Sequence, residues 1–468
     1  MPLDSSLSRR PEGPFRRRSI RFLCGVATLG LLFATGLPFA GCSPPPEPDP
    51  RPNILLISID TLRSDRLGAY GYERDTSPFL DELAARGILF SEFRVNTHGT
   101  PPSHATLFTS QYQQTHGVSL DMLERRPNHK MGEHLRLLPE ILQDAGYATV
   151  GVTAGGYMSD NFGFDRGFDV FYGKPINVDR GARRLLKKVR RQMGKGKPVF
   201  AFFHTYEVHS PYDPPAPHRE AFGTYDSDLE ATNEELIPLR NKAKTLSEAD
   251  IDHLNALYDA GIRYTDSVLR ELFDDLESSG FFDHHITVLT SDHGEEFGEH
   301  GGLLHPATLY EELLRTPLIV VGTDIEPRVD TRLVSTVDVA PTLLERAGIP
   351  TPRYAAGKDL LAPPDLQDPP RPESVFFQYG DLLYGVKAGG YKLIENRKSG
   401  ALQLYYLPRD PGETRNVVKK YPKVTRILKE RLDEWRQQTT PRKRPRSEPQ
   451  TIDEEQAEQL RALGYIVD

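Results

Sequence analysis

The sequence predicts an α/β fold, in which helices sandwich a large, mostly parallel β-sheet and a small C-terminal α+β subdomain follows. Three short apolar runs rich in β-branched and aromatic residues, 53–59, 199–203 and 286–290, are typical of buried parallel strands. Segments with apolar residues at helical spacing alternate with such runs, which indicates helices on both faces of the sheet. From residue 374 the pattern changes to short strands separated by turn residues, which indicates a second, smaller unit.

Residues 1–41 are predicted to be an export signal. Six arginines precede the apolar run 22–39, which ends in Ala40-Gly41-Cys42. This order resembles a bacterial lipoprotein signal, in which Cys42 would be lipidated and become the mature N-terminus; an uncleaved membrane anchor is the alternative. The Pro-rich segment 42–52 is predicted to be a tether. Either way we expect the body of the protein outside the cytoplasmic membrane, in the periplasm, with its lipid anchor on the outer side of the cytoplasmic membrane or in the outer membrane.

Cysteine content and net charge indicate which kinds of stabilisation and of binding partner to expect. The only cysteines are Cys24 and Cys42, so the predicted folded body has no disulfide. The formal charge is −8, and because the first 41 residues hold six Arg against Asp4 and Glu12, the remaining chain carries −12. This balance does not suggest a nucleic-acid partner. The basic segment 180–197 is interpreted as an amphipathic helix with a solvated face or, alternatively, as a patch for an anionic substrate or headgroup.

The other elements follow from local patterns along the chain. Helices are predicted over 137–145, 254–276 and 337–347, with strands at 148–152 and 318–321. A Pro/Asp-rich linker near 362–372 separates a catalytic domain, 53–365, from a C-terminal subdomain, 373–439. That subdomain combines four short strands with a helix that begins at Pro422. Residues 440–468 are predicted to be a charged linker and a last helix over 451–463, opened by a capping box from Thr451 to Glu454.

Polar residues follow each of the three buried runs. Asp60 ends the first run, His204 the second, and Asp292 with His293 the third. In open α/β sheets, ligands bind outside the carboxyl ends of the strands. We therefore expect these side chains to converge on one edge of the sheet, as metal or phosphate ligands.

The stretch 97–110 is predicted to hold a nucleophile. A Gly/Pro-containing turn runs into a helical segment with Pro101 and Pro102 at its first positions, so Thr100 should lie just before a helix N-terminus. Backbone N–H groups and the helix dipole favour an anion at such a point and ease the loss of a hydroxyl proton. The alternative for this stretch alone is an ordinary capped helix.

Five motifs, together with a C-terminal pattern, resemble the sulfatase family of the alkaline phosphatase superfamily. The resemblance extends from about residue 53 to the end of the chain and implies an alkaline-phosphatase-like fold. The segments that carry it are 57–65, 100–104, 209–212, 291–295, 338–342 and 404–413.

The chain departs from the family pattern at several site positions. Thr100 stands where the family has a Cys or Ser that is converted to formylglycine, and threonine cannot be converted to that aldehyde. His104 replaces the motif's Arg, and Thr61 replaces the second Asp of the first metal motif. The sulfate-holding Lys and His of the second family motif are missing from 146–151. No formylglycine is therefore expected.

The remaining site residues resemble those of the phosphoryl-transfer branches of the superfamily, in which a metal-bound Thr is the nucleophile. This resemblance implies the metal ligands Asp60, Thr100, Asp292 and His293. The implied catalytic residues are Thr100, His104, His209 and His305, and His204 falls where that branch keeps a further ligand or substrate-binding histidine. Carboxylate and imidazole donors favour one Zn²⁺ or Mn²⁺, with Ca²⁺ as the alternative because sulfatases use it.

The function predicted from these features is hydrolysis of phosphate, phosphonate or sulfate esters by a metal-dependent enzyme. Phosphoryl substrates are preferred because the formylglycine route is closed. The alternatives are sulfuric ester hydrolysis despite the missing formylglycine, group transfer to an acceptor other than water, and a catalytically inactive lipoprotein that binds a glycan or headgroup. The expected partners are an anionic ester of a glycan, lipid headgroup or small molecule, and a membrane reached through the lipid anchor.

Overall fold

The computed structural model describes residues 49–118, 131–363, 373–441 and 453–465. The predicted export signal, Cys42, most of the tether and Thr451 lie outside these residues. Among the described residues, no helix combines the length and hydropathy that crossing a membrane requires.

Eight strands of the described residues form the large sheet. Their order is β11-β2-β10-β7-β1-β6-β4-β5, and β10 alone among them pairs antiparallel with both of its neighbours. The mostly parallel sheet is therefore confirmed, with β10 as its exception. The strands are β1 (Asn53–Ile59), β2 (Ile88–Phe90), β4 (Ala148–Thr153), β5 (Val170–Gly173), β6 (Val199–Thr205), β7 (His285–Thr290), β10 (Leu318–Gly322) and β11 (Arg328–Asp330).

Short strands and helices complete the described residues. Two small pairs of strands join β3 (Phe93–Arg94) to β12 (Val334–Ser335) and β8 (Glu296–Phe297) to β9 (Leu303–Leu304). The α-helices are α1 (Pro78–Ala85), α2 (Thr100–Thr109), α3 (Gln113–His116), α4 (Leu138–Asp144), α5 (Val178–Met193), α6 (Ala216–Arg219), α7 (Asn233–Leu236), α8 (Glu248–Ser278), α9 (Glu311–Leu314), α10 (Val339–Arg346), α11 (Pro422–Thr439) and α12 (Glu454–Ala462).

The large sheet is covered on both faces, as the unbroken apolar strands predict. Alternate residues of β1 point to opposite sides. Ile54 and Leu56 join a core with α2, α4 and α10, whereas Leu55 and Ile57 join a core with α1, α5 and α8. The sheet is therefore the middle layer between two helical layers.

The small subdomain is a four-stranded antiparallel sheet with α11 on one face. Its strands, between residues 373 and 441, are β13 (Ser374–Tyr379), β14 (Leu383–Ala388), β15 (Tyr391–Asn396) and β16 (Leu402–Tyr406). Val386 and Leu393 pack under Leu432 and Trp435 of α11, while Phe377 on the other face joins the core of the large sheet.

The structure corrects two helix predictions. The helix predicted over 254–276 begins earlier, at Glu248, because Ser247 and Asp250 form a capping box at its N-terminus. The last helix starts at Glu454, with Asp453 as its N-cap: the Asp453 side chain accepts from Gln456 N. The capping box is thus shifted two residues from the predicted Thr451–Glu454 pair.

Candidate active site

Strand register brings the predicted ligands together at the carboxyl edge of the large sheet. Ser58 of β1 lies opposite both His204 of β6 and Thr290 of β7. The three strands are parallel and in this register. Asp60 lies two residues after Ser58 and Asp292 lies two residues after Thr290, so both extend beyond the same edge of the sheet. The predicted convergence of these residues on one edge is what the structure shows.

Three side-chain atoms at this edge are buried and have no hydrogen-bond partner: Asp60 Oδ1, Asp292 Oδ2 and His293 Nε2. Donor atoms of these residues lie within 4.8 Å of one another. The other atom of each group is occupied: Asp292 Oδ1 accepts from His293 N at 2.9 Å, and His293 Nδ1 lies 2.9 Å from Gly294 O. Buried carboxylates without cationic partners are unfavourable unless a metal ion compensates their charge. The donor set therefore fits one divalent cation.

Burial and mutual repulsion shape the acidity of this cluster. Burial raises the pKa of Asp60 to about 6, and burial together with Asp60 raises the pKa of Asp292. Burial also opposes the charged form of His293, but the two carboxylates outweigh it and raise its pKa. Two carboxylates that resist ionisation together are stabilised in their charged form by a bound cation.

Thr100 is the first residue of α2 and lies beside the cluster. Its Oγ1 donates to Asp60 Oδ2 at 3.1 Å, and the side chain is fully buried. The helix begins one residue earlier than predicted, because Gly99 takes the N-cap position with φ 94°. Pro101 and Pro102 have no N–H, and Ser103 N donates to Gly99 O at 3.1 Å. Within residues 100–103 only the N–H of Thr100 is therefore left as a backbone donor for an anion, and side chains are needed for further donors.

Two predicted histidines lie next to the metal cluster. The ring centroid of His305 is 5.0 Å from that of His293 and 5.3 Å from that of His209. His305 Nδ1 lies 3.2 Å from Glu295 Oε1, and His209 Nδ1 lies 2.5 Å from Ser210 O. Burial lowers the pKa of His209 to about 4 and that of His305 well below its usual range. Both rings are therefore neutral at pH 7, and their catalytic roles stay predictions.

His104 and His204 lie beneath the cluster. His104 Nε2 lies 2.9 Å from Ser58 Oγ, and its Nδ1 lies 2.8 Å from Thr100 O. His204 Nε2 faces Asp60 Oδ2 at 3.3 Å. These contacts hold Thr100 and Asp60 in position, and the catalytic role of His104 stays a prediction.

Thr61 takes no part in the cluster through its side chain. It has φ 56°, its Oγ1 donates to Asp60 O, and its N–H donates to Asp292 Oδ1 at 3.3 Å. A second group with metal-ligand spacing, Glu296, His300 and Glu312, lies nearby. Its His300 Nδ1 is 2.7 Å from Glu312 Oε1, whereas Glu296 Oε2 and His300 Nε2 are buried without a hydrogen-bond partner.

Sequence reasoning missed three site residues. Tyr465, after α12, reaches Thr100 Oγ1 with its hydroxyl at 2.9 Å. His98 stacks on Tyr379 with ring centroids 4.5 Å apart and also contacts His293. Burial raises the pKa of Glu295 to about 8. Glu295 lies within the motif segment 291–295 and His98 within the stretch 97–110, so both could have been found from the sequence, whereas no local signal places Tyr465 at Thr100.

Two protein-family models match this chain. The model of the family described as "Sulfatase" matches residues 52–349, more than half of the chain. The chain belongs to the sulfatase family. A model described as "N-sulphoglucosamine sulphohydrolase, C-terminal" matches residues 298–438. Sulfatase-family proteins are ester hydrolases, and the protein is therefore an enzyme of that class.

Sulfatase relatives of several kinds resemble the whole body of the chain. Arylsulfatase K of Bos taurus is 24% identical, over 81% of each chain. Delta 4,5-hexuronate-2-O-sulfatase of Bacteroides thetaiotaomicron is 25% identical, over 83% of this chain and 89% of its own. The structure of a phosphonate monoester hydrolase of Agrobacterium radiobacter shares the fold, with a TM-score of 0.66 and 20% identity over 83% of this chain and 96% of its own.

Proposed function

We propose that the protein is a metal-dependent hydrolase that cleaves phosphoryl esters with Thr100 as its nucleophile. One observation carries the proposal: Thr100 Oγ1 lies at the N-terminus of α2, 3.1 Å from Asp60, where a residue convertible to formylglycine is absent. The chain's only cysteines, Cys24 and Cys42, are far from this position in sequence. A threonine hydroxyl can accept a phosphoryl group directly, and this reaction does not need the aldehyde hydrate of formylglycine.

The arrangement supports a two-step displacement. Asp60 Oδ1, Asp292 Oδ2 and His293 Nε2 would hold the divalent ion, which when bound lowers the pKa of a coordinated hydroxyl and offsets charge on the transferring group. Asp60 Oδ2 accepts the Thr100 hydroxyl hydrogen and so orients Oγ1. Attack would form an Oγ1–phosphorus bond and break the phosphorus–ester oxygen bond; the Thr100 hydroxyl loses its proton, and the departing alkoxide takes up one from solvent. Water would then attack phosphorus and break the Oγ1–phosphorus bond, so that phosphate leaves and Oγ1 regains a proton.

Sulfate ester hydrolysis through the same threonine is the second candidate function. It is supported by the full-length similarity to arylsulfatase K and to a hexuronate sulfatase. The names of these relatives also make a glycan ester the first substrate class to test. Phosphoryl esters remain the proposed class because Thr100 replaces the residue on which formylglycine depends.

The deciding experiment combines a substrate panel with Thr100 variants. Metal-loaded protein is assayed on aryl phosphate, phosphodiester, phosphonate and sulfate esters, with Zn²⁺, Mn²⁺ or Ca²⁺. We expect Thr100→Ala to lower kcat by about 10³-fold or more, because the nucleophile is removed. Thr100→Ser keeps the hydroxyl and should retain part of the rate. Thr109→Ala, at the other end of α2, is the matched control.

Mass spectrometry of the protein during turnover should detect a phosphoryl adduct on Thr100. A Thr100→Ala protein with wild-type rate on a substrate that Asp292→Asn cannot cleave would show that water is the nucleophile, and the role of Thr100 would be wrong. Turnover of sulfate but not phosphoryl esters would favour the second candidate.

A further inference from the structure

The last described element, α12, is fixed against the elements that surround the site. Leu460 is almost fully buried, and Asn233 Nδ2 donates to Ala462 O at 2.7 Å. The helix ends in a left-handed turn, in which Gly464 N donates to Arg461 O and Tyr465 N donates to Leu460 O at 2.8 Å. The position of Tyr465 is therefore set by hydrogen bonds and burial on both sides of the turn.

Glycine is required at two points of this docking. Gly464 has φ 74°, and a Cβ there would lie 2.9 Å from Ile237 Cδ1. A Cβ on Gly156 would lie 2.4 Å from Leu463 Cδ1. Side chains at either position would push the turn away from the site. The close approach of α12 thus depends on both glycines.

The turn directs the Tyr465 side chain onto the nucleophile. Its ring lies against Tyr157 with centroids 4.4 Å apart, and its hydroxyl is 2.9 Å from Thr100 Oγ1 and 3.3 Å from His209 Nε2. Ser210 O only accepts, so its 2.5 Å contact places the hydrogen of His209 on Nδ1. His209 Nε2 is then an acceptor. Because Thr100 Oγ1 gives its own hydrogen to Asp60, the single hydrogen of the Tyr465 hydroxyl can point either to Thr100 Oγ1 or to His209 Nε2.

An anion at Thr100 finds only the N–H of Thr100 itself as a backbone donor within residues 100–103, so it needs further donors from side chains. Pro101 and Pro102 lack N–H groups, and the N–H of Ser103 is bonded to Gly99 O. Asp60 and Asp292 repel an anion. A hydroxyl 2.9 Å from Thr100 Oγ1, free to rotate about its C–O bond, lies within reach of an oxygen on a group attached there.

We propose that Tyr465 is a substrate-binding residue of the catalytic site, whose hydroxyl donates a hydrogen bond to the anionic group that reacts at Thr100, and that α12 forms the wall of the site beside this group. The inference rests on the proposed reaction at Thr100. Tyr465 adds a side-chain donor beside the N–H of Thr100, and the C-terminal segment becomes part of the active site.

Tyr465→Phe in the full, metal-loaded chain tests this role. Binding of inorganic phosphate is measured by calorimetry, alongside kcat/KM on the best ester of the panel and metal content by mass spectrometry. We expect phosphate affinity to fall roughly 10- to 100-fold, because a hydrogen bond to a charged group is lost. We expect kcat/KM to fall on the order of 100-fold, with metal content unchanged. Tyr421→Phe, at the start of α11, removes the same atom away from the site and should change none of these.

A pair of glycine variants tests the placement of Tyr465. Gly464→Ala should reproduce the loss of phosphate affinity, because the turn shifts. Gly400→Ala is the matched control: Gly400 has φ 69°, and a Cβ there would meet no atom within 4 Å. Both variants carry the same backbone strain, so a difference between them reports the position of Tyr465.

Unchanged phosphate affinity and kcat/KM in Tyr465→Phe would overturn the inference. A gain in either quantity after deletion of residues 453–468 would also overturn it, because the segment would then obstruct the site. If Thr100→Ala kept its activity while Tyr465→Phe lost phosphate affinity, the nucleophile assignment would fail and the anion-binding role of Tyr465 would stand.

Discussion

Asp60 uses its two carboxylate oxygens differently. Oδ2 is held by Thr100 and faces His204 Nε2 at 3.3 Å, whereas Oδ1 is buried without a partner. The same division occurs in Asp292, where Oδ1 accepts backbone N–H groups and Oδ2 has no partner. Each carboxylate is thus oriented by one oxygen and leaves the other for a cation, as outer hydrogen bonds orient ligands in metal sites.

Removal of either direct ligand should empty the metal site. Outer partners of metal sites each contribute about 10- to 100-fold in affinity, so Asp292→Asn or His293→Ala is expected to lower affinity by more than that. Metal content after gel filtration, measured by mass spectrometry, checks this. Arg184→Ala on α5, where the guanidinium covers Tyr172, is the control and should keep full metal content. Full occupancy in both site variants would remove the proposed centre.

Helix α11 shows how the small subdomain is stabilised. Its Leu432 is fully buried against the four-stranded sheet, and Trp435 stacks on Phe376 with centroids 4.9 Å apart. Leu432→Ala should lower the free energy of unfolding by about 2–5 kcal/mol, because a cavity remains. Ile427→Ala on the exposed side should change it by less than about 0.5 kcal/mol. Urea unfolding of both variants measures the difference, and equal effects would contradict the packing described.

Elements with a local signal could be predicted from the sequence, and elements set by tertiary contacts could not. The strand carrying Asp60 and the basic helix α5 follow from apolar patterns, and α5 is capped by Asn177 at its N-terminus. The antiparallel direction of β10 has no sequence signal, because a buried strand reads the same in both directions. The contact of Tyr465 with Thr100 depends on docking of α12, which hydrophobic periodicity does not encode.

At the scale of the whole molecule, a buried ionic network joins the β3–β12 strand pair and α9 to the C-terminal sheet. Glu311 of α9 binds Arg94 at 2.6 Å and Lys392 of β15 at 3.1 Å, and Lys392 also binds Glu413 at 3.0 Å. Burial opposes the ionisation of Glu311, but Arg94 and Lys392 outweigh it and hold its pKa well below the usual range. The network therefore ties β3 and α9 of the larger unit to the C-terminal sheet through charge.

The network makes stability depend on pH. The pKa of Glu311 is lower in the folded state than its ordinary 4.5. Its contribution is therefore present above pH 4.5 and lost as the pH falls through the folded pKa. Glu311→Gln should lower the free energy of unfolding by about 3–5 kcal/mol at pH 7 and by less at lower pH. Urea unfolding at several pH values checks this, with exposed Glu326→Gln as control; a pH-independent difference would contradict the assignment.

The hydroxyl contact between Thr100 and Tyr465 spans 365 positions of the chain, whereas Thr100 and Asp60 are 40 positions apart. Contacts of such separation carry the largest loop-closure entropy and form after local ones. During synthesis, the residues of the metal cluster emerge long before Tyr465. Under the proposed role of Tyr465, a chain interrupted before residue 453 would contain every residue of the metal cluster but would lack the side chain that binds the anion.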